Sequence, residues 1–169
     1  WDWSKRISQE DCYKRLFAPF ISEWNCVYEE NKTFYYKDYP ANAIRLIVLN
    51  SMLVDDERDE QLAWFEKTLE GAFENEYHVV VAAHYPVYMK KIHCNFSSLD
   101  SGECIGDKSM EIYQEKVDAF IKKGGDFVTW LAGHVHFDYV GYSEKYPDQM
   151  CIAIDALRCY QGMAYDDFD

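Results

Sequence analysis

Three short apolar runs constrain most tightly what this chain can fold into. Ile44-Arg-Leu-Ile-Val-Leu49, Tyr77-His-Val-Val-Val-Ala-Ala83 and Phe127-Val-Thr-Trp-Leu-Ala132 are rich in branched and aromatic side chains and lack the alternation of a strand with one wet face. Near-continuous apolarity over so few residues marks strands covered on both faces, in a sheet flanked by other layers. The stretches between them have helical spacing. Asp59 opens the first, whose Leu62, Trp64, Phe65, Leu69 and Phe73 form a wide apolar stripe. Met110 to Lys123 carries Ile112, Tyr113, Val117, Phe120 and Ile121, with Gly124-Gly125 placed to end it. Buried strands alternating with helices predict a layered α/β fold.

The flanks complete the reading. Ser8-Gln-Glu-Asp11 can cap a helix with Cys12, Leu16, Phe17 and Phe20 on one face, bent or shortened by Pro19. Thr33 to Asp38 and Ala43 to Ser51 read as strands joined by Tyr39-Pro-Ala-Asn42, and Asp138 to Ser143 and Met150 to Ala156 as a hairpin around Glu144-Lys-Tyr-Pro-Asp148. The order β-β-α-β-α-β-β-β makes the sheet mixed. At 169 residues, positions 1–169 are expected to form a single domain.

The charge excludes some functions. With 17 basic and 30 acidic residues the net charge is −13, which repels phosphate backbones and argues against a nucleic-acid scaffold role. A phosphorylated substrate remains compatible if metal cations supply local positive charge. No apolar run approaches the roughly 20 residues that span a bilayer. The six cysteines contain no C-x-x-C and are expected mostly to fill core positions, although Cys94 and Cys104 bracket one loop and could pair. Asn31-Lys-Thr33 and Asn95-Phe-Ser97 fit the glycosylation pattern, so localisation stays open between cytoplasm and secretion. Trp1-Asp-Trp-Ser-Lys-Arg6 has neither an initiating Met nor a signal segment, and the chain is expected to begin inside a longer protein.

Chemistry concentrates where two of the strands end. In layered α/β sheets, ligands gather beyond the carboxyl ends of strands. His84 ends one run, and Gly133-His134-Val135-His136 ends another. Imidazole is a common ligand for transition metals, two histidines one residue apart can address neighbouring coordination positions, and Gly133 is expected to let the backbone turn sharply. A lone histidine after a strand is usually packed or solvated; the combination is sharper. His78 and His93 read as surface residues. Asp138 could orient an imidazole from behind or be a simple strand-edge carboxylate. Asp55-Asp-Glu-Arg-Asp-Glu60 lacks the spaced oxygens and central Gly of a calcium loop and reads as an acidic helix start.

Val81-Ala-Ala-His84-Tyr-Pro86, followed about fifty positions later by Leu131-Ala-Gly-His134-Val-His136, resembles the calcineurin-like metallophosphoesterase family. Ile47-Val-Leu-Asn-Ser51 and Glu60-Gln-Leu-Ala-Trp-Phe-Glu-Lys-Thr-Leu69 resemble the strand and helix upstream of that family's lone histidine, and the similar segments cover most of residues 44–143. The resemblance implies a four-layer αββα sandwich with mixed β-sheets, of which this chain supplies the carboxyl-terminal portion. It implies a phosphatase or phosphodiesterase with two divalent metal ions (Mn, Fe or Zn) and a bridging water or hydroxide that attacks phosphorus in line. His84 and His134 would ligate one metal and His136 the other. The family's D-x-H, G-D-x-x-D and G-N-H motifs are absent, and position 50 is Asn where relatives commonly have Asp. The bridging Asp, the remaining ligands and the His that assists the leaving group are thus expected in an amino-terminal half upstream of Trp1, and the isolated chain is expected to be inactive.

Tyr85, Tyr88 and Phe96 belong to a long loop, to Gly106, expected to lie over the metal edge. They are candidate substrate contacts or the apolar floor of that loop. Two rivals remain. One is a catalytically silent relative with a structural role. The other is an aromatic-rich carbohydrate-binding module, whose mark would be several coplanar exposed aromatics without clustered histidines. Neither the substrate, the choice of monoester or diester, nor the oligomeric state is legible.

Overall fold

The structure, a computed structural model, describes residues 7–88, 108–134 and 138–154. A short helix α1 (Gln9–Cys12) leads to strands β1 (Val27–Tyr28), β2 (Tyr35–Tyr39) and β3 (Ile44–Val48), helix α2 (Asp55–Glu74), strand β4 (His78–Ala82), helix α3 (Lys108–Lys122), and strands β5 (Phe127–Ala132), β6 (Tyr139–Tyr142) and β7 (Met150–Ala153). All seven strands form one sheet in the order β1-β2-β3-β4-β5-β7-β6. The three apolar runs are its centre. β3, β4, β5 and β7 pair in parallel, while β1-β2, β2-β3 and β6-β7 are antiparallel, so the sheet is mixed as expected.

Both long helices pack on one face. Ile47, Val79, Val81, Trp130, Cys151 and Ala153 point into a core shared with Phe65 and Leu69 of α2 and Val117 and Phe120 of α3. The opposite face carries register rows Leu46-Val80-Thr129-Met150 and Val48-Ala82-Leu131-Ile152, all half-buried. Beside them Val140, Tyr142 and Ile154 are exposed. This face is apolar without being covered over much of its area among the described residues. None of the described helices is long and apolar enough to cross a membrane.

Three sequence expectations shift. α2 begins at Asp55, four residues before Asp59, because its acidic first turn (Asp55, Asp56, Glu57) already faces the positive end of the helix dipole. Its buried face runs through Gln61, Phe65, Thr68, Leu69 and Ala72, so it takes in two polar residues outside the expected apolar stripe, while Leu62, Trp64 and Phe73 flank it half-buried. Near the amino end, Ser8 does cap α1, its Oγ accepting from the Asp11 amide at 3.1 Å. The helix then widens into a π-turn over Tyr13–Phe17. A bond from the Ala18 amide to the Tyr13 carbonyl (2.8 Å) spans five residues and rotates the face. Tyr13 is therefore buried, while Leu16 and Phe20 are exposed. At the far end of α3 the expected stop holds. Gly124 takes φ +100°, Gly125 donates to the Phe120 carbonyl at 2.9 Å, and a Cβ on Gly125 would stand 2.4 Å from the Phe120 ring.

One buried charge ties the sheet to α2. Arg45, 5% exposed, donates from Nε and Nη2 to both carboxylate oxygens of Asp38 (2.7 and 2.8 Å) and from Nη1 to the Thr68 carbonyl (2.9 Å). Its guanidinium lies 4.2 Å from the Tyr36 ring centre and 5.1 Å from that of Tyr77. Burial pulls the guanidinium pKa down and the Asp38 contacts outweigh it, so Arg45 remains charged. A bidentate, stacked and fully engaged guanidinium is the geometry that makes such burial tolerable. Asp38→Ala is expected to destabilise the chain by about 3 kcal/mol or more by stranding that charge, a loss that urea denaturation measures directly.

Candidate metal centre

The parallel pairing of β4 and β5 places their carboxyl ends at one sheet edge, with Ala82 opposite Leu131. The ladder continues beyond both strands: the Ala83 amide donates to the Leu131 carbonyl (3.0 Å) and the Gly133 amide to the His84 carbonyl (3.1 Å). Two residues past each strand stands a histidine. His134 Nδ1 and His84 Nε2 lie 3.2 Å apart, with ring centres separated by 5.0 Å and planes at 77°. Fifty residues of sequence separate two rings that the sheet brings into hydrogen-bond contact.

That spacing can be tested against an ion. Two imidazole nitrogens bound to one metal at about 2.0–2.1 Å, with an angle between octahedral and tetrahedral values, stand roughly 2.8–3.4 Å apart. The observed 3.2 Å falls inside that interval. Among the described residues no group of three or more His, Cys, Asp or Glu side chains gathers around a common point. His136 lies outside the described residues, so the described centre is a pair.

The sharp turn expected of Gly133 belongs to its neighbour. His134 takes φ +67°, a left-handed conformation that costs a residue with a Cβ about 1 kcal/mol. Gly133 itself has no left-handed backbone, and a Cβ built there would lie 3.6 Å from His84 Nδ1, an ordinary contact, so neither demand requires glycine at this position.

Tyr85 shapes the site from beside it. Its ring stands edge-on to His134, with centres 4.5 Å apart and planes at 86°, and 5.4 Å from His84. A groove of about 290 Å³ opens along the same edge, lined by Val48, Leu49, Ala82, Ala83, His84, Leu131 and Ala132. It is apolar apart from the imidazole. Tyr88 is turned elsewhere. Its hydroxyl is buried with no hydrogen-bond partner among the described residues, and burial together with the nearby Asp118 carboxylate pushes its pKa well up, so Tyr88 packs against the core. Of the long loop expected over the metal edge, residues 89–107 lie outside the described residues, and Phe96, His93, Cys94 and Cys104 with them.

His78 is exposed at the amino end of β4 and contacts Asp126 Oδ2 through Nδ1 at 2.6 Å, at the edge opposite the histidine pair. Asp138 is exposed. Cys151 is a free thiol in the core, its pKa pushed by burial to about 11, as expected of a cysteine that fills space. Cys12 and Cys26 are free as well.

Two residues at this edge escaped sequence reasoning as parts of the site. Ser51 follows β3 as His84 follows β4, and its Oγ accepts from the Tyr85 amide at 3.2 Å. Trp130, fully buried in β5, donates from Nε1 to the Tyr85 carbonyl at 3.0 Å. The available signal was Asn50-Ser51, a polar pair at the end of an apolar strand. Trp130 gave none, because its ring satisfies the core pattern by itself.

No protein-family profile matches the chain, and no curated protein matches it in sequence. Among solved structures it is similar to a crystal structure of a dimetal phosphatase from Danio rerio, with a TM-score of 0.54 and 12% identity. The similarity covers 89% of this chain and 57% of that one, so the chain spans a little over half the length of the protein it matches. The chain has a mixed α/β fold similar to that of this dimetal phosphatase.

The backbone at position 134 yields a comparison that separates fold from site. His134→Ala and His134→Gly both remove the second imidazole, but only glycine relieves the left-handed conformation. His134→Gly is expected to be the more stable by about 1 kcal/mol, measured as the difference between their urea denaturation midpoints.

Proposed function

We propose that this chain contributes part of the metal site of a phosphoesterase, a hydrolase of phosphate monoesters or diesters that uses two divalent ions. The observation that carries the reading is the convergence of His84 and His134 at the carboxyl edge, at a separation suited to neighbouring ligands of one ion. The distant likeness to a dimetal phosphatase supports it. In this reading His136 joins the centre as a ligand of the second ion.

A bound pair of divalent ions acidifies water and neutralises phosphoryl oxygens. The chain's own residues hold and exclude. His84 and His134 present lone pairs from two adjacent strand ends, which fixes their separation more firmly than a flexible loop would. Tyr85 packs against one side of His134 and limits water there. The apolar groove beside His84 offers a wall to the organic part of an ester. The negative charge of the chain as a whole leaves recognition of phosphate to the ions.

The remaining ligands, the bridging carboxylate and the acid that assists the leaving group are proposed to come from an amino-terminal half outside this chain. The half-exposed apolar rows opposite the helices provide a face on which a second sheet can pack. Manganese, iron and zinc all suit mixed nitrogen and oxygen ligands. Against the carbohydrate-binding reading, the aromatic group of Phe17, Trp24 and Tyr35 meets at 64°, 70° and 47°, which offers no flat platform, and the histidines are paired.

The test compares two lengths. The 169-residue chain is expected not to turn over p-nitrophenyl phosphate or bis(p-nitrophenyl) phosphate with Mn²⁺, whereas the chain joined to the sequence encoded upstream is expected to do so. His134→Ala or His136→Ala in the longer form should lower activity at least about 100-fold, since loss of outer-shell support alone costs about 10- to 100-fold. Metal-dependent turnover by the short chain, or full activity in both variants, overturns the reading.

A further inference from the structure

Tyr85, one residue past His84, is held through the two peptide units that flank its Cα. On one side its amide donates to Ser51 Oγ (3.2 Å); on the other its carbonyl accepts from Trp130 Nε1 (3.0 Å). Ser51 is itself buried and stands in a braced loop. The neighbouring Asn50 amide donates to Gln61 Oε1 (2.7 Å), and Gln61 Nε2 returns to the Asn50 carbonyl (3.2 Å) and reaches the Tyr113 hydroxyl (2.7 Å). Gln61 is 1% exposed, so these bonds form where few competing waters reach. Trp130 is 0% exposed and cannot swing away. The Tyr85 backbone thus bridges a strand-end loop secured by α2 and α3 on one side to the core of β5 on the other.

Both histidines adjoin this backbone. The Tyr85 amide shares its peptide unit with the His84 carbonyl, which accepts from the Gly133 amide, while the Tyr85 carbonyl held by Trp130 lies in the next unit. The Tyr85 side chain, which leaves the Cα between these two units, stands edge-on to His134. A shift of this backbone would move the His84 ring and the aromatic wall of His134 together. We propose that Ser51 and Trp130 are positioning residues for the histidine pair, acting through the clamped Tyr85 backbone to hold His84 Nε2 and His134 Nδ1 at the separation a divalent ion requires. This rests on the metal-site reading above and adds to it a set of supports on β3 and β5. Outer residues that orient ligands typically change metal affinity by about 10- to 100-fold when removed.

Ser51 supplies the clean variant, because Trp130→Phe would also leave a void in the core. In the 169-residue chain, Ser51→Ala removes the acceptor and Ser51→Thr keeps it. Two measurements accompany thermal denaturation: Co²⁺ affinity by titration, and the imidazole Cε1–H signals of His84 and His134 in the metal-free chain by NMR. Ser51→Ala is expected to move both signals and weaken Co²⁺ binding about tenfold, with the melting temperature nearly unchanged, while Ser51→Thr restores both. Unmoved imidazole signals, or Co²⁺ binding by Ser51→Ala equal to that of the unaltered chain, overturn the clamp even if the metal reading stands. Co²⁺ binding unaffected by His84→Ala and His134→Ala overturns the metal reading, while the metal-free signals still decide whether the Tyr85 backbone is clamped. A Thr variant that fails to restore the signals reduces Ser51 to ordinary packing and also overturns the proposal.

Discussion

Parallel pairing through the middle of the sheet is the constraint from which the other features follow. β3, β4 and β5 lie side by side in chain order and run in one direction. A crossover between parallel neighbours is right-handed almost without exception, so two successive crossovers moving the same way across a sheet carry their helices to the same face. α2 and α3 consequently pack together over Ile47, Val79, Val81 and Trp130. The same rule leaves Leu46, Val48, Val80, Ala82, Leu131 and Ile152 on a face that no long helix among the described residues covers. It also gathers the carboxyl ends of three strands at one edge, where Ser51, His84 and His134 meet within a few residues of their strands.

Holding that edge in place falls to buried polar groups. Backbone hydrogen bonds end with the ladder, and the segments beyond it need other partners. Gln61 takes over for the loop after β3. Asn50 extends the network outward, donating from Nδ2 to Thr33 Oγ1 (2.7 Å) and accepting from the Met52 amide (2.9 Å). Thr33 donates in turn to Gln9 Oε1 from its amide and its hydroxyl, which fastens the amino-terminal segment to the same edge. A buried network of this kind is stabilising only while every member is satisfied, and it then selects one arrangement over near alternatives. Asn at position 50 satisfies the pattern with a donor as well as an acceptor, which a carboxylate would not do.

Much of this architecture is legible in the residues, for reasons that are local. β3, β4 and β5 are readable because branched and aromatic side chains run along both of their faces, although only the helix-side residues are buried and the expected cover on the other face is not seen among the described residues; α3 is readable because its apolar spacing and Gly124-Gly125 agree. β1, two residues long, leaves no periodic trace. Gln61 and Thr68 were invisible as core residues because a polar side chain reads as solvent-facing until its partners are known, and the hydroxyl of Tyr113 comes from 52 residues away. The exposure of Leu16 and Phe20 depends on one widened turn that helical spacing does not encode.

The sequence by itself determined the alternation of strand and helix, the two histidines that follow strand ends, and the acidic balance, because each of these is a property of residue type and short-range order. Tertiary structure alone decided that His84 and His134 stand 3.2 Å apart, that the left-handed residue of the turn is His134, and that Ser51 and Trp130 grip the backbone on either side of the Tyr85 Cα. Those outcomes are set by which strands become neighbours and in what register. Register is a cooperative result of packing the whole sheet against its helices, and no single stretch of the chain contains it.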